Sequence, residues 1–218
     1  PRIPLEDLQA LTSALLACGA RIDEINTLRR HLDQLKGGGL ARAANGAQIV
    51  SLILSDVVSD SIEAIASGPT APDPTTNADA LSIIEKYDLK DKIPPAVISS
   101  LCETPKPNDS IFERVQNKII ASNSIALHAA QSQAQAEGFE TKILRADLQG
   151  EASFVGREMA TQLRESIGQI QRPFCLLAGG ETTVTLRRGS GQALNGKGGR
   201  NQELALGAVD VLSGLVDV

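Results

Sequence analysis

Within residues 48–55 (QIVSLILS), five of the six residues 49–54 are apolar, without the alternation of a strand that has one face in water. Such a run is typical of a parallel strand that is buried on both faces. The segment therefore predicts a parallel β-sheet, and it requires the rest of the chain to supply helices for both faces of that sheet.

The remaining pattern alternates helices with strands, as such a sheet requires. Helical spacing predicts helices over residues 5–18, 21–32, 40–44, 77–87, 95–101, 124–137 and 152–167. Short apolar runs predict further strands over residues 118–121, 140–144 and 174–178. Ligands bind at the carboxyl ends of parallel strands, which is where Asp56, Ser122–Asn123 and Gly179–Glu181 fall.

Composition excludes some classes of partner. The 218 residues carry a net charge of −5 and only 2% aromatic side chains, which argues against a nucleic-acid partner. The longest apolar run is too short to cross a bilayer, so we expect no membrane partner and a cytoplasmic location. Three widely spaced cysteines predict buried, reduced thiols.

A glycine-rich segment near the end of the chain predicts a phosphate site. Residues 177–186 (LAGGETTVTL) lead from a strand towards residues 196–203 (GKGGRNQE), which run into an amphipathic helix. The amino terminus of that helix favours an anion, and Lys197 and Arg200 add positive charge beside Gly198 and Gly199. A solvated hairpin loop is the alternative.

Residues 191–198 spell most of a Walker A loop, but Gly198 stands where a Ser or Thr should bind Mg²⁺, so we reject a P-loop. Glu181 is a candidate for holding hydrated Mg²⁺ or for accepting hydrogen bonds from substrate hydroxyls, and a surface acid at a strand junction is the alternative. Lys36–Gly39 is either a second anion-binding loop or a flexible linker. His31 and His128 are interpreted as structural or exposed, since no catalytic triad or zinc-spaced set accompanies them.

Several motifs, in order, resemble those of the class II glycerate 2-kinases, whose C-terminal part is the MOFRL domain. The motifs are residues 24–32 (EINTLRRHL), 36–41 (KGGGLA), 54–58 (LSDVV), 65–70 (IASGPT) with 72–73 (PD), 179–185 (GGETTVT) and 196–205 (GKGGRNQELA). The resemblance covers essentially the whole chain.

The resemblance implies transfer of the γ-phosphoryl group of ATP to the 2-hydroxyl of D-glycerate, with Mg²⁺. It implies a three-layer, Rossmann-like parallel sheet domain, whose C-terminal portion is residues 1–170, and the start of a second α/β domain, MOFRL, over residues 171–218. The family's catalytic Glu and Arg correspond to Glu181 and Arg200. The phosphate or nucleotide would be contacted by Lys197, Gly198, Gly199 and Lys36. The metal ligands stay unassigned.

The chain also departs from the family. Residues 188–194 lengthen one loop, and the family's N-terminal glycine-rich segment with its Lys and its later Asp-containing region are absent. We therefore expect a fragment that lacks both ends, holds about half of a full-length member and is inactive alone. The expected partners are D-glycerate and ATP, and the oligomeric state stays open, a dimer being one alternative.

Two other functions stay open. Members of this family have also been labelled hydroxypyruvate reductases, which use NAD(P)H, although no Gly-x-Gly-x-x-Gly follows a strand here. A non-catalytic protein that binds phosphorylated metabolites is the second alternative.

Overall fold

The computed structural model describes residues 3–185 and 198–215, which form an α/β fold with parallel strands, as predicted. The chain divides into two compact units, unit 1 (Pro1–Ala121) and unit 2 (Ser122–Val218). The boundary after residue 170 that the family resemblance implies stays a prediction, because the domains of a family need not coincide with compact units. Lys197 and the lengthened loop at residues 188–194 lie outside the described residues.

Among the described residues, three helices precede the first strand, and at least one helix separates each strand from the next. The helices are α1 (Leu5–Ala17), α2 (Ile22–Leu32), α3 (Gly39–Ala43), α4 (Asn77–Lys86), α5 (Pro95–Ser100), α6 (Asn123–Ala136), α7 (Ala152–Ser166) and α8 (Arg200–Leu212). The strands are β1 (Ile49–Leu54), β2 (Val115–Ala121), β3 (Glu140–Leu148) and β4 (Phe174–Gly180). None of these helices is both long enough and apolar enough to cross a membrane.

Every predicted helix and strand is present, and the largest differences are in the lengths of β2 and β3. The structure begins β2 three residues earlier and ends β3 four residues later than the sequence pattern predicts. Polar side chains such as Asn117 and Arg145 occupy these additions, so an apolar run could not reveal them. These added residues are part of the strands because their backbones pair with β1 and β4.

The apolar core of unit 1 lies among its helices. Leu11 and Leu15 on α1, Leu28 on α2 and Val97 on α5 are all nearly inaccessible to solvent. Leu11 and Leu15 are four residues apart and therefore share one helix face. Because each such side chain contributes roughly 1.5–3 kcal/mol when buried, this cluster is the main source of cohesion in unit 1.

β1 pairs with β2 in parallel, from Ile49 opposite Val115 to Leu54 opposite Ala121. The prediction that β1 is buried on both faces is wrong for this chain, since Val50, Leu52 and Leu54 are 58%, 64% and 69% exposed. Their face of the sheet is not covered by any element of unit 1 among the described residues, whereas Ile49, Ser51 and Ile53 are partly buried.

The cysteines are free thiols, as predicted, but they are not all buried. Cys18 and Cys102 are exposed and Cys175 is partly buried. Cys18 ends α1 and Cys102 follows α5, so both sit where a helix gives way to a surface loop. The location of Cys18 and Cys102 at helix ends therefore explains their exposure.

Unit 2 places β3 beside β4 in a parallel pair, with α6 against both strands and α7 packed on α8. The two helices approach closely because Gly156 faces the backbone of Leu204 and Gly207 faces that of Ser153. Arg164 on α7 also donates a hydrogen bond to the carbonyl of Val211, at 2.7 Å. This packing holds α8, which carries Arg200 at its first position.

Glu24 joins α2 to α4 in unit 1 through its carboxylate. Lys86 Nζ donates to Oε1 at 2.6 Å, while Tyr87 Oη and the Arg21 N–H donate to Oε2 at 2.7 and 2.9 Å. The hydrogen bonds from Lys86, Tyr87 and Arg21 lower the pKa of Glu24 from its usual value near 4.5 to about 2. Its carboxylate therefore stabilises the folded state above pH 4.5, and this contribution is lost as the pH falls towards 2.

We predict that Glu24→Gln lowers the free energy of unfolding by about 1 kcal/mol at pH 7, the usual net value of such hydrogen bonds in a partly exposed site. The difference from wild type should shrink between pH 4.5 and pH 2. Denaturant unfolding at several pH values measures it. Asp88→Asn, which removes an exposed charge beside Lys92, is the control and should cost less than about 0.5 kcal/mol. A Glu24→Gln deficit that does not depend on pH would contradict the assignment.

Candidate active site

The carboxyl end of β4 closes tightly on the end of β3. A Cβ atom on Gly180 would lie 2.2 Å from the carbonyl oxygen of Leu148, and Gly180 has a φ of 147°. Only glycine is compatible with both conditions. The next residue, Glu181, donates its backbone N–H to the same carbonyl at 2.9 Å, so its position is fixed relative to the sheet.

The residues after β4 are fixed by the start of α7. Thr183 donates its N–H to the Gly150 carbonyl at 2.8 Å, and Ala152 returns an N–H to the Thr183 carbonyl at 2.8 Å. The carboxylate of Glu151 accepts the Thr185 N–H at 3.0 Å. Residues 181–185 therefore form an ordered rim at the carboxyl end of the sheet.

Glu181 and Arg200, the two predicted catalytic residues, are brought together. The guanidinium of Arg200 donates Nη1–H to the carboxylate of Glu181, and the same nitrogen lies 3.3 Å from the Thr182 carbonyl. Their side chains are 63% and 50% exposed, so solvent screens the pair and it contributes little to stability. The pair instead places an accessible cation and an accessible carboxylate side by side where ligands bind in parallel sheets.

The amino terminus of α8 supports the same interpretation. Arg200 is the first residue of the helix, where backbone N–H groups have no intrahelical acceptor and the helix dipole favours an anion. Gly199 precedes it, and its N–H donates to the side chain of Gln202 at 3.0 Å. Gly198 is exposed with a φ of 136°. The predicted phosphate contacts of Lys197, Gly198 and Gly199 stay predictions, and Lys197 lies outside the described residues.

Two polar side chains near this rim were not predicted as site residues. Asn123, at the start of α6, donates Nδ2–H to the Ala146 carbonyl at 2.5 Å, and its Oδ1 lies against the backbone of Gly179. Thr182 is 3% exposed, and its Oγ1 has no hydrogen-bond partner among the described residues. The sequence places Asn123 at a strand end, whereas nothing in the pattern distinguishes Thr182 from its neighbouring threonines.

Lys36 belongs to unit 1, and the glycines after it do not offer their N–H groups to an anion. Gly37, Gly38 and Gly39 donate to the carbonyls of Ser67, Gly68 and Lys36, at 2.8, 2.8 and 3.0 Å. The anion-binding interpretation of this loop therefore rests on the side chain of Lys36 alone, whose Nζ lies 3.3 Å from the Ala66 carbonyl. The loop is not a flexible linker, since its backbone is bonded throughout.

His31 is structural, as the sequence suggested. It is fully buried, with Nδ1 2.7 Å from the Cys102 carbonyl and Nε2 3.2 Å from Thr75 Oγ1. Asp56 is exposed just beyond β1. Within the described ranges, no group of three or more His, Cys, Asp or Glu side chains is arranged to hold a metal ion.

Proteins of a known family are similar to this chain in sequence. A family model described as a domain of unknown function, DUF4147, matches residues 1–102, and the MOFRL family model matches residues 174–217. The glycerate 2-kinase of Pyrococcus horikoshii is 45% identical to this chain, over 98% of the chain and 49% of that protein. The chain belongs to the glycerate 2-kinase family.

Structural comparison gives the same family. The crystal structure of a glycerate kinase from Thermotoga maritima superposes with a TM-score of 0.85 at 40% identity, over 98% of this chain and 50% of the other. A relative from Agrobacterium vitis, 44% identical over 98% of this chain and 48% of its own length, is named as a candidate hydroxypyruvate reductase. The chain thus spans about half the length of these family members.

We predict that Gly180→Ala lowers the free energy of unfolding by at least about 2 kcal/mol, because it adds a collision with Leu148 to an unfavourable φ. Gly168→Ala is the matched control: Gly168 also has a positive φ, of 84°, but a Cβ there would meet nothing within 4 Å. We expect it to cost only about 1 kcal/mol. Equal losses in denaturant unfolding of the two variants would contradict the close approach of β4 to β3.

Proposed function

We propose that the protein carrying this chain is a glycerate 2-kinase, which transfers the γ-phosphoryl group of ATP to the 2-hydroxyl of D-glycerate. The observation that carries the proposal is the Glu181–Arg200 pair, which lies at the carboxyl end of a parallel strand and at the amino terminus of a helix. The 45% identity to a named glycerate 2-kinase supports the same reaction.

The chemistry of phosphoryl transfer accounts for the proposed roles. Such a reaction needs the reactants to be positioned and the negative charge of the transferred group to be stabilised. Arg200, with two or more N–H groups available in one plane, would hold the transferred phosphoryl group. Lys197 with the backbone of Gly198 and Gly199 would hold the nucleotide phosphates, and Lys36 would contact an anionic group of a substrate.

Glu181 would orient the hydroxyl groups of glycerate or a hydrated Mg²⁺ ion. Its carboxylate is 63% exposed, so its oxygens remain accessible to either ligand despite the pairing with Arg200. Mg²⁺ in kinases is commonly bound by one or two carboxylates together with water and substrate phosphates, which a single Glu fits. When bound, the ion neutralises charge on the phosphates of ATP.

The domain assignment and the cellular location belong to the same proposal. Residues 1–170 would form the C-terminal portion of the first kinase domain, and residues 171–218 would form the start of the MOFRL domain, which the match to residues 174–217 supports. The free cysteines are typical of a reducing compartment, which supports a cytoplasmic enzyme.

Reduction of hydroxypyruvate is the second candidate, since one relative carries that name. A dinucleotide site of the Rossmann type needs a glycine-rich turn that joins a strand directly to a helix. β2 leads into α6 through Ser122, whose hydroxyl caps the helix, and β3 leads into α7 through one glycine, Gly150. Neither connection has the three glycines of that turn. These two connections therefore favour the kinase over the reductase.

An assay of the full-length protein separates the candidates. We expect ADP to form from ATP only when D-glycerate is present, with no oxidation of NADH or NADPH by hydroxypyruvate. Oxidation of either cofactor without ADP formation would establish the reductase instead. Neither product, with binding of ATP or glycerate retained in calorimetry, would indicate a binding protein.

We predict that Arg200→Ala lowers kcat of the full-length enzyme by on the order of 10³-fold, as loss of a phosphoryl-binding arginine does in other kinases and GTPases. Steady-state kinetics with D-glycerate and ATP measure the effect. The control is Arg157→Ala, since Arg157 is an exposed arginine on α7 in the same unit, and kcat should change less than about twofold. A loss of less than tenfold in Arg200→Ala would remove this residue from the transition state.

A further inference from the structure

A buried carboxylate lies beneath the Lys36 loop in unit 1. Asp73 is fully buried, and its Oδ1 accepts hydrogen bonds from the N–H and the hydroxyl of Thr75, at 3.0 and 2.7 Å. Its Oδ2 accepts the hydroxyl of Thr104 at 3.0 Å. The carboxylate therefore joins two loops that are about thirty residues apart in the chain.

Two basic side chains of α2 complete this group. Arg30 Nε lies 3.0 Å from Asp73 Oδ1 as an ion pair, without the direction of a hydrogen bond, and His31 Nε2 lies 3.5 Å from Oδ2. The Asp73 cluster consists of Arg30, His31, Asp73, Thr75 and Thr104. A buried ion pair adds little net stability because its desolvation is costly, but it holds a defined geometry.

The Lys36 loop rests directly on this cluster. A Cβ atom on Gly37 would lie 3.3 Å from Asp73 Oδ2, 3.1 Å from Arg30 Cβ and 3.2 Å from Thr104 Cγ2. A side chain at position 37 would therefore press against three members of the cluster, whereas glycine leaves this narrow gap open. Because the residue that follows Lys36 lies next to the Asp73 carboxylate, we expect a shift of that carboxylate to move the loop.

The other side of the Lys36 loop is a strained turn. Residues 66–68 have φ values of 51°, 60° and 59°, although the first two are Ala and Ser, which carry a cost of roughly 1–2 kcal/mol each in this region. The turn is fastened to the sheet by Thr70, whose hydroxyl and carbonyl both bond to the side chain of Asn117. Lys36 therefore lies between a fixed turn and a fixed carboxylate.

We propose that the Asp73 cluster is a positioning device for Lys36, which it holds so that the ammonium group reaches the carboxylate or phosphate of a substrate. The proposal rests on the anion contact of Lys36 in the proposed function. Lys36 is the residue that contacts the ligand, and Asp73 acts only through the loop. The cluster therefore determines the affinity for one anionic substrate and leaves the rate of the chemical step almost unchanged.

A double-mutant cycle in the full-length enzyme tests this coupling. We expect Lys36→Ala and Asp73→Asn each to raise KM for one substrate, either D-glycerate or ATP, by about tenfold while kcat changes less than about threefold. Which KM rises identifies the bound group as the glycerate carboxylate or a nucleotide phosphate. In the double variant, KM should be no higher than in Lys36→Ala, since Asp73 acts only through Lys36.

Gly37→Ala is a second probe that keeps every charge. Its Cβ would push the loop away from the Asp73 cluster, so we expect the same rise in KM, again absent in the Lys36→Ala background. Glu24→Gln is the control because it breaks a different set of contacts in unit 1, those with Lys86, Tyr87 and Arg21, and it should leave KM unchanged. If Asp73→Asn does not fold, Gly37→Ala alone decides the question.

The proposal would be overturned if Asp73→Asn or Gly37→Ala raised KM further in the Lys36→Ala background, by the same factor as in the wild type. An unchanged KM in the single variant Gly37→Ala would overturn it as well. An unchanged KM for both substrates in Lys36→Ala would remove the anion contact and the positioning role together. That result would not contradict the proposed kinase reaction, because product formation and the kcat of the Arg200→Ala variant test the reaction independently.

Discussion

Asp73 places a fully buried negative charge in unit 1, and the surrounding loops are arranged to satisfy it. Its two oxygens receive hydrogen bonds from Thr75 and Thr104 and face the basic side chains of Arg30 and His31. Removing any of these partners would leave the buried charge without compensation. The resulting loss of stability is much larger than the net stability that the ion pair contributes. Helix α2, both loops and the segment after Lys36 are therefore held in one arrangement.

In unit 2, close backbone contacts at glycines, in place of a buried charge, hold the site residues in position. There the close approach of Gly180 to Leu148 fixes the strand end, and the contact of α7 with α8 fixes the helix that carries Arg200. The pair of Glu181 and Arg200 is exposed and adds little stability, so its placement is best understood through its charges. An exposed cation beside an exposed carboxylate suits a site that exchanges this contact for a phosphorylated ligand.

The fold was largely predictable because helical spacing and apolar runs are local signals. The site was only partly predictable: Glu181 and Arg200 were found from a motif, and the structure brings them together. The Asp73 cluster was missed because its members come from three separate segments of the chain, residues 30–31, 73–75 and 104, and each residue is ordinary when read singly. For the loop at residues 36–39, the sequence left an anion-binding loop and a flexible linker open. It could not show that the N–H groups of Gly37 and Gly38 are bonded to Ser67 and Gly68, because these acceptors carry no sequence signal. Burial of both faces of β1 also depends on partners that the strand itself does not specify.

The Glu181–Arg200 site is proposed to serve transfer of a phosphoryl group to the 2-hydroxyl of glycerate. The most direct measurement is ³¹P NMR of the product that the full-length protein forms from ATP and D-glycerate. We expect 2-phosphoglycerate and ADP in equal amounts, and far less product in the same reaction time when Arg200 is replaced by Ala. Formation of 3-phosphoglycerate, or the absence of any phosphorylated glycerate, would contradict it.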